Sequence, residues 1–245
     1  MSTLTTNDSA VLHALFDAES SPSSAIQIDS TLPPFPANIQ ITPEDHESLG
    51  NRETSIIKSL QTDNVSQETI HSAITALDAL IEDNPTYPPA YANRAQALRM
   101  LVDKESSLSE KLELKTGDAM FTDPANTPTV SRLFADLGQA INLSTPVSPA
   151  DPVSPVQARI LADAHTHRGY LLLKAARARR DSKAQGVGQL WELGSDQLEE
   201  MASRDFFLGG RYGNKIAQQM AVQTNPYAKM CGAIVKEAMR KETVG

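Results

Sequence analysis

The chain has 245 residues, of which 40% are apolar but only 5% aromatic, a mixture that suits a helical domain or repeat array better than a large sheet. Its formal charge of −8 repels phosphate backbones and argues against a general nucleic-acid partner. No stretch approaches the roughly 18 apolar residues of a membrane span, and a lone Cys231 with no basic-then-apolar opening points to a cytoplasmic address, or a nuclear one.

Asn7, Asp8 and Ser9 are N-cap residues ahead of Val11, Leu12, Leu15 and Phe16, which share one helical face. Residues 19–43, rich in Ser and Pro, read as an extended or disordered linker that Ile39 and Ile41 pin to the surface. Residues 1–43 thus form an N-terminal helix and linker. Thr42, Pro43 and Asp45 then open a helix to about Gln61. The next helix, from about Ser66 to Asp83, buries Ile70, Ala73, Ile74, Leu77, Leu80 and Ile81, and Asn84-Pro85 stops it.

A third helix starts near Pro88 and carries Tyr91, Ala95, Leu98, Leu101 and Val102; residues 103–128 lack a clean apolar face and read as an insertion. A fourth helix runs from about Thr129 to Leu143, a Pro/Ser linker follows, and the longest helix extends from about Pro155 to Arg180. A second insertion, at 181–197, holds the only tryptophan, Trp191. Helices over about Asp196–Leu208 and Asn214–Gln223 come next, with Gly209-Gly210 a break or a close-packing point between them, and Pro226 opens a last helix to Lys241.

Ala73, Leu77 and Leu80 precede Pro85 at the spacing of the second helix of a tetratricopeptide repeat. Tyr91, Arg94, Ala95 and Leu98 follow it at the spacing of a first helix, with Arg94 where the pattern has Leu. Leu133, Leu137 and Ala140 match a second helix again; His165, Arg168, Gly169 and Leu172 match a first, and Ala202, Phe206 and Gly209 a second. Small residues at these positions let paired helices approach while large ones fill the gap, and about three pairs are needed to bury one continuous core. The expected fold is therefore all-α: a tetratricopeptide-repeat solenoid of about three helix pairs over residues 44–223, with N- and C-terminal capping helices, the latter over 224–245.

Three stretches carry a closer resemblance. The opening Asn7-Asp8-Ser9-Ala10-Val11-Leu12-His13-Ala14-Leu15-Phe16, the segment Ala90-Tyr91-Ala92-Asn93-Arg94-Ala95, and Asn225-Pro226-Tyr227-Ala228-Lys229-Met230-Cys231 resemble the tetratricopeptide repeat protein 36 family. The resemblance implies binding of a partner protein, either a 70-kDa heat-shock chaperone or a metabolic enzyme, and a link to tyrosine metabolism.

The expected function is non-enzymatic: an adaptor, acting as a monomer, whose concave face binds a protein segment through Asn93, Ala97, Met100, His167 and Arg168. A permanent structural subunit and an enzyme are the competing readings. A carboxylate clamp of the kind some such arrays use would place Lys58, Thr62 and Asn93 with Asp163 and His167, and Asp163 would repel an acidic tail. Asp163 and His167 share a helix face but His165 points away, so no metal set is expected. Lys174, Arg177, Arg179 and Arg180 read as a solvated helix end, and Cys231 as a packing residue. Gly209-Gly210-Arg211-Tyr212-Gly213 lacks the strand and Gly-Lys-Ser/Thr of a phosphate loop, no Ser-His-Asp grouping is visible, and no catalytic, cofactor or metal residue is assigned.

Overall fold

A computed structural model of the protein describes residues 26–110, 119–148, 150–181 and 189–225. The expected helices over 7–16 and from Pro226 onward, with Cys231, lie outside the described residues.

Eight α-helices are formed among the described residues: α1 (Pro43–Lys58), α2 (Gln67–Asp83), α3 (Pro88–Glu110), α4 (Ala119–Thr122), α5 (Thr127–Ser144), α6 (Pro155–Asp181), α7 (Ser195–Arg211) and α8 (Lys215–Thr224). The sole β pairing among them is an isolated parallel bridge between Ile28 and Val153. The described fold is all-α, and none of its helices is long and apolar enough to cross a membrane.

The caps follow the sequence signals. Thr42 Oγ1 accepts the Asp45 N–H at 3.1 Å and donates to the Asp45 carboxylate at 2.8 Å, while Ser66 Oγ accepts the Thr69 N–H at 3.1 Å. α1 stops at Lys58 rather than Gln61 because Ser59 and Leu60 turn back onto the carbonyls of Ile56 and Ile57. α3 runs past Val102 to Glu110, since no Gly or Pro interrupts it and Arg99 pairs with Asp103 across one turn at 3.4 Å. Much of the first expected insertion is thus helical, and Met120 and Phe121 of α4 are buried.

α2 buries the six residues of its predicted stripe. Successive long helices pack on one another in chain order, and α6 against α7 is the most extensive contact. There Gly169 and Gly209 let two backbones approach: a Cβ on Gly169 would lie 3.2 Å from the Ala202 carbonyl oxygen, and one on Gly209 2.7 Å from Thr166 Oγ1. α7 accordingly runs through Gly209 and Gly210 to Arg211 instead of breaking, and Gly213, at φ 102°, turns the chain into α8.

Two ionic networks stitch the helices. Arg94, in the slot where the repeat pattern has Leu, is buried and forks onto Asp136 of α5 at 2.8 and 2.6 Å. It also donates to Asp78 of α2 at 2.9 Å, which in turn pairs with Arg132. Between α6 and α7, Asp205 accepts from Arg168 at 2.7 and 2.8 Å and from His165 Nδ1 at 2.8 Å. Such pairs fix which helices meet, because breaking one leaves a buried charge.

Residues 26–41, expected as a linker, contain no helix but are packed. Ile28 bridges Val153, with Asp29 N–H donating to the Val153 carbonyl at 2.9 Å and Val153 N–H to Gln27 at 3.0 Å. Ser154 Oγ donates to the Pro34 carbonyl at 2.8 Å. Phe35 is 4% exposed and meets His46 and Tyr87 edge-on at 5.3 and 5.8 Å, and Ile39 is buried beside it in the core.

Candidate functional site

A cleft of about 980 Å³ runs along the molecule. Its walls come from alternate long helices: α1 (His46, Gly50, Glu53), α3 (Asn93, Gln96, Arg99), α6 (Arg159, Asp163, His167, Tyr170, Arg177) and α8 (Ile216, Met220). α5 and α7 contribute only Leu137 and Phe206, from behind. Arg159 influences Tyr87 just before α3, and Arg99 lies over the Tyr170 ring at 5.1 Å further along both helices. α3 and α6 therefore run in the same direction along the cleft.

The expected partner-binding residues separate into two groups. Asn93 and His167 line the cleft. Ala97 does not: it is wholly buried, so its methyl can only serve helix packing. Met100 is half-buried against the core, one position round the helix from the cleft-lining Arg99. Arg168 turns toward α7 and is committed to Asp205. A one-residue step on a helix rotates a side chain by about 100°, and this separates Arg168 from His167 and Met100 from Arg99.

Asn93 has an internal partner that its sequence position did not show. Its amide donates to Glu53 Oε1 at 2.6 Å, and the Tyr87 hydroxyl donates to Glu53 Oε2 at 2.5 Å. Burial, with Glu53 beside it, pushes the Tyr87 phenol well above its ordinary range. This clasp holds α1 to α3. Lys58, the last residue of α1, is exposed and outside the cleft, so it does not converge with Asn93.

His167 Nε2 is buried without a hydrogen-bond partner among the described residues, and desolvation, with Arg99 nearby, lowers its pKa to about 4. It is neutral at physiological pH and free to give or accept one hydrogen bond. Asp163, on the same face, is raised by desolvation, partly offset by Arg159 and by a hydrogen bond from Asn214. His165 faces the opposite way, onto Asp205, and stacks on Tyr212 at 6.2 Å. Among the described residues no three His, Cys, Asp or Glu side chains are grouped to hold a metal.

The basic run divides as well. Arg177 faces the cleft, Arg179 covers the buried Trp191 ring at 5.2 Å, and Arg180 pairs with Glu199 at 3.0 Å. The cleft thus carries Arg99, Arg159 and Arg177 against Glu53 and Asp163. Sequence reasoning missed Glu53, Arg99, Arg159 and Tyr170. The signal was present as spacing: residues 46, 50 and 53 on α1, and 159, 163, 167, 170 and 177 on α6, each form one helical stripe that is polar or aromatic but for Gly50.

No family model matches the chain. It is 66% identical over 246 aligned residues to the L-tyrosine degradation gene cluster protein hmgX of Aspergillus fumigatus, covering 99% of this chain and 94% of that protein. It is 24% identical over 211 residues to a tetratricopeptide repeat protein 36 homolog of Drosophila melanogaster, covering 82% of this chain and 96% of that one.

Proposed function

This chain belongs to the family of the L-tyrosine degradation gene cluster protein hmgX, and from that premise we propose that it is a non-enzymatic adaptor serving tyrosine breakdown. It would hold a partner protein in the cleft between α1, α3, α6 and α8. The observation that carries this reading is the alternation of the walls. Every second long helix faces the cleft and the others stand behind, as in stacked helix pairs of tetratricopeptide type. The Drosophila similarity supports the same arrangement.

The cleft chemistry suits a polypeptide guest. Polar groups of both signs alternate with Tyr170, Ile216 and Met220 along the helices, giving anchors for backbone and side chain. A metabolic enzyme of tyrosine catabolism is the partner most in keeping with the relative's name, and a 70-kDa heat-shock chaperone is the other partner the family resemblance suggests. The working compartment in this reading is the cytoplasm.

The test is capture from the cytosol of tyrosine-grown cells. Wild type is compared with a Gln96→Glu, His167→Ala, Arg177→Glu variant whose far-ultraviolet dichroism matches wild type. Recovery of a tyrosine-catabolic enzyme or chaperone by wild type, and its loss with the variant, is the expected result. Identical recovery by both proteins removes the cleft from the function.

A further inference from the structure

We infer that residues 26–41 are a strap that holds α1 closed over the cleft, and that α1 is a gate. The inference concerns the protein alone and stands whether or not the cleft receives a partner.

Among the described residues, α1 is the least secured wall. Leu49 is its one fully buried residue, and its packing on α2 is sparse compared with the other long-helix pairs. Its Arg52–Asp83 ion pair, at 3.2 Å, is exposed on both sides and contributes little. Among the described residues, Leu49 and the half-buried Ile56 are joined in holding it by the Glu53 clasp and the strap.

The strap reaches across the molecule. At one end, Ile28 and Asp29 pair with Val153, and Ser154 fixes the Pro34 carbonyl, both immediately before α6. At the other end, Phe35 is sandwiched against His46 of α1 and against Tyr87, which heads α3. Thr42, the N-cap of α1, follows directly. The strap therefore ties the N-terminal ends of the first and third cleft-forming helices. Tyr87 is shared: its ring contacts Phe35 and its hydroxyl holds Glu53. Removing Phe35 takes away a neighbour of the ring that positions the clasp, so the strap contact and the clasp weaken together. Hinge motion of a lightly packed helix is the expected consequence.

The test is spin-label distance measurement on the full chain, with Cys231→Ser to leave one labelled pair at a time. The gate pair is Ser55→Cys with Arg177→Cys, across α1 and α6. The reference pair is Gln96→Cys with Arg177→Cys, across α3 and α6. In the Phe35→Ala protein the gate-pair distribution should move to longer distance and broaden about twofold, while the reference pair keeps its original distribution. Amides of α1 should exchange about tenfold faster, with those of α6 unchanged. Phe35→Leu, which keeps most of the buried volume but not the ring edges, serves if Phe35→Ala does not fold, and should show the same shift in smaller measure. An unchanged gate pair, or equal broadening of both pairs, overturns the inference.

Discussion

Asp205 sits 3% exposed between two donors from α6, and its removal is the simplest residue-level probe of that junction. Burial pushes its carboxyl up, but the hydrogen bonds from Arg168 and His165 more than offset this and hold it below the usual range. Asp205→Ala leaves the guanidinium and imidazole without their acceptor and should cost about 3 kcal/mol in urea unfolding. Because the folded carboxyl is depressed, its stabilisation is present above the unfolded value and is lost as pH falls through the folded one. His167 acts at higher pH. Its folded pKa of about 4 lies below the ordinary 6.5, so between those values the unfolded chain takes up a proton that the folded chain refuses. Stability should therefore decline as pH drops across that window, by at most about 3 kcal/mol. His167→Gln should flatten that limb of a plot of unfolding free energy against pH.

At the scale of elements, glycines with and without neighbours make opposite predictions. Gly209 lies inside α7, where a methyl would meet Thr166 Oγ1 at 2.7 Å and both the Ala162 carbonyl and the Ala217 Cβ at 3.2 Å. Thr166 cannot swing aside freely, since its hydroxyl is bonded to the Ala162 carbonyl at 2.5 Å. Gly209→Ala should thus destabilise by about 1–3 kcal/mol, with overpacking outweighing the gain in helix propensity. Gly138, in α5, has no heavy atom within 4 Å of where its Cβ would be, and Gly138→Ala should stabilise by about 0.5–1 kcal/mol. Thermal unfolding of the two variants against wild type should give shifts of opposite sign.

At the scale of the whole molecule, the described residues share one hydrophobic cluster that runs from Phe35 and Leu49 through Leu77, Leu137 and Trp191 to Ala217. Fluorescence of Trp191 and helical dichroism should therefore be lost at the same urea concentration. Separate midpoints would show that the helices around Trp191 unfold on their own. Much of this architecture was legible because it is local. Capping boxes, prolines and the α2 stripe each act within one or two turns, and the observed helices start and stop near those signals. What resisted reading was the rotation of one helix against the next. Asn93 and His167 line the cleft, but Ala97 went into packing and Arg168 onto α7. The strap was read as a linker because Ser and Pro describe a backbone without helix, and say nothing about whether Phe35 finds a pocket.

The Glu53 oxygen on Asn93 gives the cleft an exchange rule. An acceptor that takes the N–H now held by Glu53 trades one hydrogen bond for another with little net gain, whereas the second amide hydrogen of Asn93 is not used by that bond. The displaced carboxylate keeps the Tyr87 hydroxyl alone. Displacement of Glu53 from Asn93 in this way removes one of the bonds that seat α1, and links what happens at Asn93 to the helix opposite it.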